Sequence, residues 1–256
     1  NIKEGVGCLR DIHTILWISN FLFDVRKVDE LESLNILSST EIRELKRSWE
    51  FLITVRSLNH FFNQSKGDII SIENQLKIAK HLKYKDVNFK SRKKEMGVEK
   101  FMKDLFLHIT KISEILNLFY SKLPEEWIIS TIFQQGSKIK SYKNKNFKIT
   151  KGFLEFKKYD LKNITLNWLS LLKESLNKNI LVHPKVLDSL RKNHQKFPAK
   201  LKVEDFKIIR SIITSNDNPV RILRHLNDSR MLNAIFPEFG RVWGQVQYDI
   251  YHQYTT

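Results

Sequence analysis

The chain has 256 residues, which is long enough to bury a hydrophobic core and to form one or two domains. Its 41% hydrophobic and 11% aromatic content excludes an intrinsically disordered protein, and its 8 glycines and 5 prolines supply few of the tight turns of a β-sandwich, so helices are favoured. The formal net charge of +16 raises the question of nucleic-acid binding.

The source of this charge argues against a nucleic-acid-binding surface. It comes from 32 lysines and 12 arginines, and the lysines are scattered along the chain. Arginine is the residue that proteins prefer for bidentate contacts to phosphates and base edges. A basic helical module that binds nucleic acid is therefore kept only as an alternative.

The cysteine content and hydropathy indicate a cytoplasmic protein. The single cysteine, Cys8, excludes an internal disulfide framework and a zinc site built on cysteines, and a reducing compartment is expected. No apolar run reaches membrane-spanning length, and no signal peptide is visible. Both ends of the sequence look cut, so a fragment of a longer protein is expected.

In the first half of the chain, apolar periodicity predicts helices over residues 8–23, 39–62, 72–82 and 98–122. Ser38 lies three residues before Glu41, which is the spacing of a helix-initiating capping box. Pro124 ends the fourth helix. The intervening segment 83–97, KYKDVNFKSRKKEMG, is predicted to be a polar, basic loop.

The second half begins with a segment of different character. Around Gly152, the apolar residues Phe147, Ile149 and Phe153 alternate with polar ones, which predicts a small β-hairpin. The Lys/Asn-rich stretch before it is expected to be a mobile loop. Helices are then predicted over 166–178, 184–196, 203–214, 219–226 and 231–236.

These elements predict a mainly α fold, with a β-hairpin or irregular insertion near 145–157. The expected division is a helical domain over 1–125, the insertion over 126–160, a helical connector over 161–245 and the start of a further domain over 246–256.

The opening segment, NIKEGVGCLRDIHTILWI, allows two interpretations. Glycines let a backbone approach a ligand, a helix N-terminus attracts anions, and Lys3 and Arg10 could add positive charge to a phosphate-binding turn. The alternative is a glycine-built turn before a helix, with both cations in solvent. Spacing alone favours this second interpretation, since short glycine patterns often occur by chance.

No catalytic or metal-binding residue is predicted from spacing in this chain. Asp11 and His13 are two residues apart on a helix and do not share a face, so Asp11 is better explained as a partner of Arg10 or Lys3, or as a first-turn acid. The eight histidines show no His-x-x-x-His spacing, and the chain has no Asp-x-Asp pair.

The opening segment nevertheless resembles a known family, the bacterial protein-PII uridylyltransferase/uridylyl-removing enzymes. Their pattern just after the nucleotidyltransferase core is roughly Lys-x-x-x-Gly-Gly-Leu-Arg-Asp-Ile-x-Thr-Leu-x-Trp. The matching residues are Lys3, Gly7, Leu9, Arg10, Asp11, Ile12, Thr14, Leu16 and Trp17. Cys8 replaces the second glycine of the pattern, which argues against a role that needs a positive φ or a close ligand approach at that position.

Further segments resemble the same family in the same order. They are SWEFLITVRSLNHFF, SIENQLKIAKHLKY, GVEKFMKDLF and, near the end, MLNAIFPEFGRVWGQVQYDIYHQYTT, which resembles the lead into an HD phosphohydrolase domain. Only about 125–165 is poorly matched. Glutamine-synthetase adenylyltransferases carry a similar glycine turn and remain an alternative, but they have no HD domain for the Gln-x-Asp-x-x-His-x-Tyr-Thr ending to lead into.

The resemblance implies an enzyme that transfers UMP from UTP to a tyrosine of the PII nitrogen-signalling protein, and hydrolyses it off again when glutamine is high. It implies that Mg²⁺ and the catalytic ligands of both reactions are held outside this chain, which would be the inactive helical part between two active sites. Lys3, Gly7, Arg10 and Asp11 would lie near the nucleotide phosphates, with Asp11 orienting the two cations.

Overall fold

A computed structural model describes residues 1–89, 92–124, 144–158, 164–194, 197, 201–214 and 219–244. The described residues of Asn1–Phe119, with Gly244, form one compact unit, and those of Tyr120–Trp243 form a second. The described part is mainly α-helical, as the sequence predicts. None of its helices is both long and apolar enough to cross a membrane.

The first unit is built from helices and one small hairpin. The helices are α1 (Leu9–Phe23), α2 (Glu30–Ser33), α3 (Ser39–Asn63), α4 (Ile72–His81) and α5 (Gly97–Lys122), and the hairpin pairs β1 (Val87–Phe89) with β2 (Arg92–Glu95). The predicted basic loop over 83–97 is therefore wrong, because two short antiparallel strands form within it. Val87 and Phe89 are strand-favouring residues at period 2, a signal too short to stand out among the lysines.

Helix α3 begins where the capping box predicts. The Ser38 hydroxyl accepts a hydrogen bond from the Glu41 N–H at 3.4 Å, and the Glu41 carboxylate accepts one from the Ser38 N–H at 2.8 Å. Both N–H groups would otherwise lack intrahelical partners. This helix runs for 25 residues and supplies one wall of the first unit.

The core of the first unit joins α1, α3 and α5. Its fully buried side chains include Ile12, Ile15, Leu45, Leu52, Val55, Phe101 and Ile112. Burying one such side chain contributes about 1.5–3 kcal/mol. His108 of α5 also stacks on Phe51 of α3 at 4.4 Å and contacts the Ser48 hydroxyl at 3.0 Å. The N-terminal end of α1 therefore rests on the packed core of α1, α3 and α5, which we call the frame.

The second unit contains a hairpin and a set of shorter helices. The hairpin joins β3 (Phe147–Thr150) and β4 (Phe153–Phe156), and the helices are α6 (Ile164–Lys178), α7 (Pro184–Asn193), α8 (Val203–Ile213), α9 (Pro219–Asp228), α10 (Met231–Ile235) and α11 (Pro237–Val242). The predicted hairpin is confirmed: Lys151 and Gly152 both have positive φ, as a two-residue hairpin turn requires. Helices α2 and α11 were not predicted.

The hairpin is tied to the helices of its own unit. The Leu154 N–H donates to the Leu181 carbonyl at 2.8 Å, and the His183 N–H donates to the Leu154 carbonyl at 2.9 Å. Trp168 and Leu154 lie buried in one apolar cluster. The predicted mobile loop and the segment 246–256 lie outside the described residues, and the four-part division of the chain stays a prediction.

Candidate functional site

The opening segment forms a tight turn whose backbone carbonyls accept hydrogen bonds from the first N–H groups of α1. The Leu9 N–H donates to the Ile2 carbonyl at 3.3 Å, the Arg10 N–H to the Lys3 carbonyl at 2.8 Å, and the Asp11 N–H to the Cys8 carbonyl at 3.0 Å. These are the N–H groups that a helix leaves without intrahelical partners and that bind anions in phosphate sites. Because the chain itself satisfies them, an anion here would have to bind side chains.

Gly7 has a structural reason to be glycine. Its φ is +76°, and a Cβ at this position would lie 2.1 Å from the Ile109 carbonyl oxygen of α5. Any side chain would therefore push the turn away from α5, in addition to the strain of a positive φ. Gly7 therefore lets the turn pack directly on α5, and the group that it approaches most closely is the backbone of Ile109.

Cys8 replaces the family glycine without backbone strain. Its φ of −98° and ψ of −170° are extended, and it precedes α1 as the N-cap residue. The side chain is buried, and this burial raises the pKa of the thiol. Position 8 of this chain therefore does not require a positive φ.

The structure gives Asp11 a different partner from the one expected. Its carboxylate accepts a hydrogen bond from the Gly7 N–H at 2.6 Å, and so closes the turn. Arg10 instead pairs with Glu4, with 2.7 Å between Nη2 and Oε1. Asp11 does not pair with Arg10 or Lys3, because its carboxylate accepts from a backbone N–H four residues earlier. The alternative expectation is confirmed, since Asp11 is the acid in the first turn of α1.

Two cations of the opening turn and one cation of α3 act on one imidazole. Burial lowers the pKa of His13 below its usual value, and the positive charges of Arg10, Arg56 and Lys3 lower it further. The backbone joins these cations: the Arg10 N–H donates to the Lys3 carbonyl at 2.8 Å, and the Ile2 N–H donates at 2.9 Å to the carbonyl of Asp68, whose carboxylate binds Arg56. We call Lys3, Arg10, Arg56 and His13 the cationic cluster.

The charges of the cluster are incompletely neutralised. The Arg10–Glu4 pair is exposed on both sides, with 43% and 56% of the two side chains accessible, and such pairs hold together weakly. Among the described residues, Lys3 has no ion pair within 4.0 Å. The cluster can therefore accept an anionic ligand without first breaking a strong internal contact.

Arg56 is the exception, because a carboxylate fixes its position. Asp68 accepts from Arg56 Nε at 2.7 Å and lies 3.0 Å from His60 Nε2. The hydrogen bond from Arg56 lowers the pKa of Asp68, partial burial opposes this, and His60 lowers it further. The Asp68 carbonyl also accepts the Ile2 N–H at 2.9 Å. Asp68 thereby ties the opening turn to α3.

A buried amide network holds the loop that carries Asp68. The fully buried Asn59 donates to the Gly67 carbonyl at 2.8 Å and to the Ile69 carbonyl at 3.2 Å. Asn74 of α4 donates to the Asn59 side-chain oxygen at 2.8 Å. Buried amides without partners are costly, so this network makes the loop conformation specific and keeps Asp68 beside Arg56.

The predicted site residues divide into two groups. Lys3 and Arg10 contribute to the cationic cluster, whereas Gly7 and Asp11 shape the turn beneath it. Arg56 was not predicted as a site residue, although its one-turn spacing from His60 on a helix was a visible signal. In the described part of the chain, no group of three or more His, Cys, Asp or Glu side chains is arranged to hold a metal ion.

Comparisons with known proteins place these features in context. Residues 1–120 match the model of a family described as GlnD PII-uridylyltransferase. Over its whole length the chain is 31% identical to a bifunctional uridylyltransferase/uridylyl-removing enzyme of Rhodospirillum rubrum, and 27% and 29% identical to proteins of the same name from Ruegeria pomeroyi and Cereibacter sphaeroides. It spans 27–28% of the length of these relatives. No solved structure matches the chain.

Proposed function

Because the chain belongs to the family of bifunctional uridylyltransferase/uridylyl-removing enzymes, we propose that it is the helical part of an enzyme that uridylylates a PII-type protein. In the proposed reaction a tyrosine oxygen of the PII protein attacks the α-phosphorus of UTP, and pyrophosphate leaves. The same enzyme would hydrolyse the UMP off again under control by glutamine. Mg²⁺ and the reacting carboxylates would come from parts of the enzyme outside this chain.

The observation that supports a nucleotide-binding role is that the opening turn carries Lys3 and Arg10 and is joined through Asp68 to Arg56, so that three cations belong to one connected part of the structure. A triphosphate carries several negative charges, and more charge develops on its leaving group during transfer. Cations that are positioned beforehand stabilise such charge without having to reorganise during the reaction. The occupied N–H groups of α1 leave this task to side chains.

The residues of the turn would then have separate roles. Lys3 and Arg10 would contact phosphate oxygens, and Arg10 would exchange its exposed Glu4 partner for the nucleotide. Gly7 and Asp11 would keep the two cations at a fixed distance from the frame. Asp68 would hold Arg56 in place beside them.

Alanine substitutions in the full-length enzyme test this proposal. Lys3→Ala and Arg10→Ala should each raise the KM for UTP or lower kcat by about 10–100-fold, since a hydrogen bond to a charged group contributes about 1.5–3 kcal/mol. Arg10→Lys should recover part of the loss. Arg26→Ala and Lys27→Ala, which remove exposed cations beyond the end of α1, serve as matched controls and should change neither constant by more than about twofold.

The proposal fails if both substitutions in the turn leave UTP affinity and the transfer rate unchanged. The measurement should be made on the uridylylation reaction with the PII protein and UTP varied separately. The thermal unfolding of each variant should be measured as well, because a loss of activity indicates a lost phosphate contact only if the variant is folded.

A further inference from the structure

The outer face of α1 exposes large aromatic side chains next to the cationic cluster. Trp17 is 58% exposed and Phe21 is 74% exposed. They are four residues apart and share one face of the helix, and Arg10 lies on the same face two turns earlier. Ile12 and Ile15, on the opposite face, are fully buried.

Helix α3 extends this surface beside α1. The imidazole of His13 lies 5.7 Å from the Trp17 ring and 6.5 Å from the Trp49 ring of α3. Ile53, one turn after Trp49, is 45% exposed. We call the face of α1 formed by Arg10, His13, Trp17 and Phe21 the α1 outer surface.

The size and composition of this surface are those of a protein-binding site. Aromatic side chains present about 150–250 Å² each when fully accessible, so Trp17 and Phe21 together expose a few hundred Å² of mostly apolar surface. An exposed apolar patch of a few hundred Å² is about as large as the largest patch on a typical monomer, and such patches are often functional. Tryptophan and arginine are also the residues that most often dominate binding energy at interfaces.

We infer that the α1 outer surface docks the protein that accepts the UMP group. The inference rests on the proposed function, because it takes the nucleotide phosphates to lie against Lys3 and Arg10. The acceptor must then bring its tyrosine oxygen to the α-phosphorus, and the residues flanking that tyrosine must pass close to the cationic cluster.

The distances along α1 fit this arrangement. Trp17 lies seven residues beyond Arg10, which is about 10 Å along a helix, and Phe21 lies about 16 Å beyond it. An extended acceptor segment advances about 3.3 Å per residue. Side chains about three to five residues from the modified tyrosine therefore reach the two exposed rings.

The charges define the chemistry of the acceptor segment. Arg10 lies on the same face of α1 as the exposed rings, and its N–H donates to the Lys3 carbonyl, so a complementary segment combines apolar side chains with Asp or Glu. The apolar side chains cover Trp17 and Phe21, while the carboxylates face the cations that the nucleotide leaves partly unneutralised. This complementarity favours an acidic protein segment over a second copy of this basic surface.

Steady-state kinetics of the full-length enzyme test the inference. Trp17→Ser and Phe21→Ser should each raise the KM for the PII protein about tenfold or more, with the KM for UTP changed less than about twofold. Trp17→Phe should restore most of the affinity. Phe61→Ser is a matched control, because Phe61 is 73% exposed on α3 and is not part of the α1 outer surface; it should leave both constants unchanged.

The alternative outcomes are distinct from one another. An unchanged KM for the PII protein in Trp17→Ser overturns the inference. If that variant also unfolds at a lower temperature, another part of the enzyme covers the surface. A rise in the KM for UTP instead assigns Trp17 to the nucleotide site and also overturns it. If Trp17→Ser weakens the PII protein while Lys3→Ala and Arg10→Ala have no effect, the docking surface stands and the proposed phosphate contacts fail.

Discussion

Replacing Gly7 with alanine tests whether the opening turn is locked against α5. The new Cβ would lie 2.1 Å from the Ile109 carbonyl oxygen and 2.9 Å from the Ile109 Cγ2 atom, and φ is +76°. A positive φ costs a non-glycine residue about 1–2 kcal/mol, and relieving an overpacked contact typically costs about 1–3 kcal/mol. Gly7→Ala should therefore lower the free energy of unfolding by about 2–5 kcal/mol.

Gly152 provides the matched control for the backbone contribution. Its φ of +77° is nearly the same, but no atom lies within 4 Å of a Cβ added there. Gly152→Ala should therefore cost only the backbone contribution of about 1–2 kcal/mol. Urea unfolding followed by hydrogen–deuterium exchange and mass spectrometry reports peptides of α1 and β4 separately. If Gly7→Ala costs no more than Gly152→Ala, the turn is free to move from α5 and the reasoning is refuted.

Three further substitutions have definite outcomes. Asp68→Asn should cost about 2 kcal/mol at pH 7. Because the hydrogen bond from Arg56 holds the pKa of Asp68 below its usual range, this deficit should shrink as the pH falls below about 4. A deficit in urea titrations that does not shrink below that pH would contradict the reasoning. Burial lowers the pKa of His183, the N-cap residue of α7, to about 4. As the pH falls from about 6.5 to 4, the protein should therefore lose at most about 1.4 kcal/mol of stability per pH unit. His183→Asn should flatten this slope while keeping a side-chain acceptor at the N-cap, and equal slopes in the two proteins would count against the burial effect. Cys8→Gly should cost about 1 kcal/mol in chemical denaturation because φ is −98° and glycine only adds freedom to the unfolded chain, and an equally stable variant would show this reasoning to be wrong.

Much of the helical fold could be predicted because its helices carry long apolar periods and definite end signals. The helix predicted over 8–23 is observed as Leu9–Phe23, and the one predicted over 39–62 as Ser39–Asn63. The β1–β2 hairpin and α2 were missed because elements of three or four residues show no period. Their formation depends on packing that a local pattern does not encode.

The candidate site was predictable only where its residues are close in sequence. Lys3 and Arg10 belong to one motif, and Arg56 and His60 show helical spacing. Asp68 gave no signal, because its place beside Arg56 depends on a loop held by the buried Asn59. A contact fixed by a buried amide network is a tertiary property, and sequence spacing alone does not reveal it.

The structural and functional interpretations of the opening motif describe different atoms of the same turn. The backbone of Gly7 and the carboxylate of Asp11 fix the turn, and the carbonyls of residues 2 and 3 occupy the N-terminus of α1. Only the side chains of Lys3 and Arg10 remain for a ligand. Gly7→Ala should consequently lower stability and activity together. Arg10→Ala should lower activity with little effect on stability, because the exposed pair with Glu4 contributes at most about 1 kcal/mol.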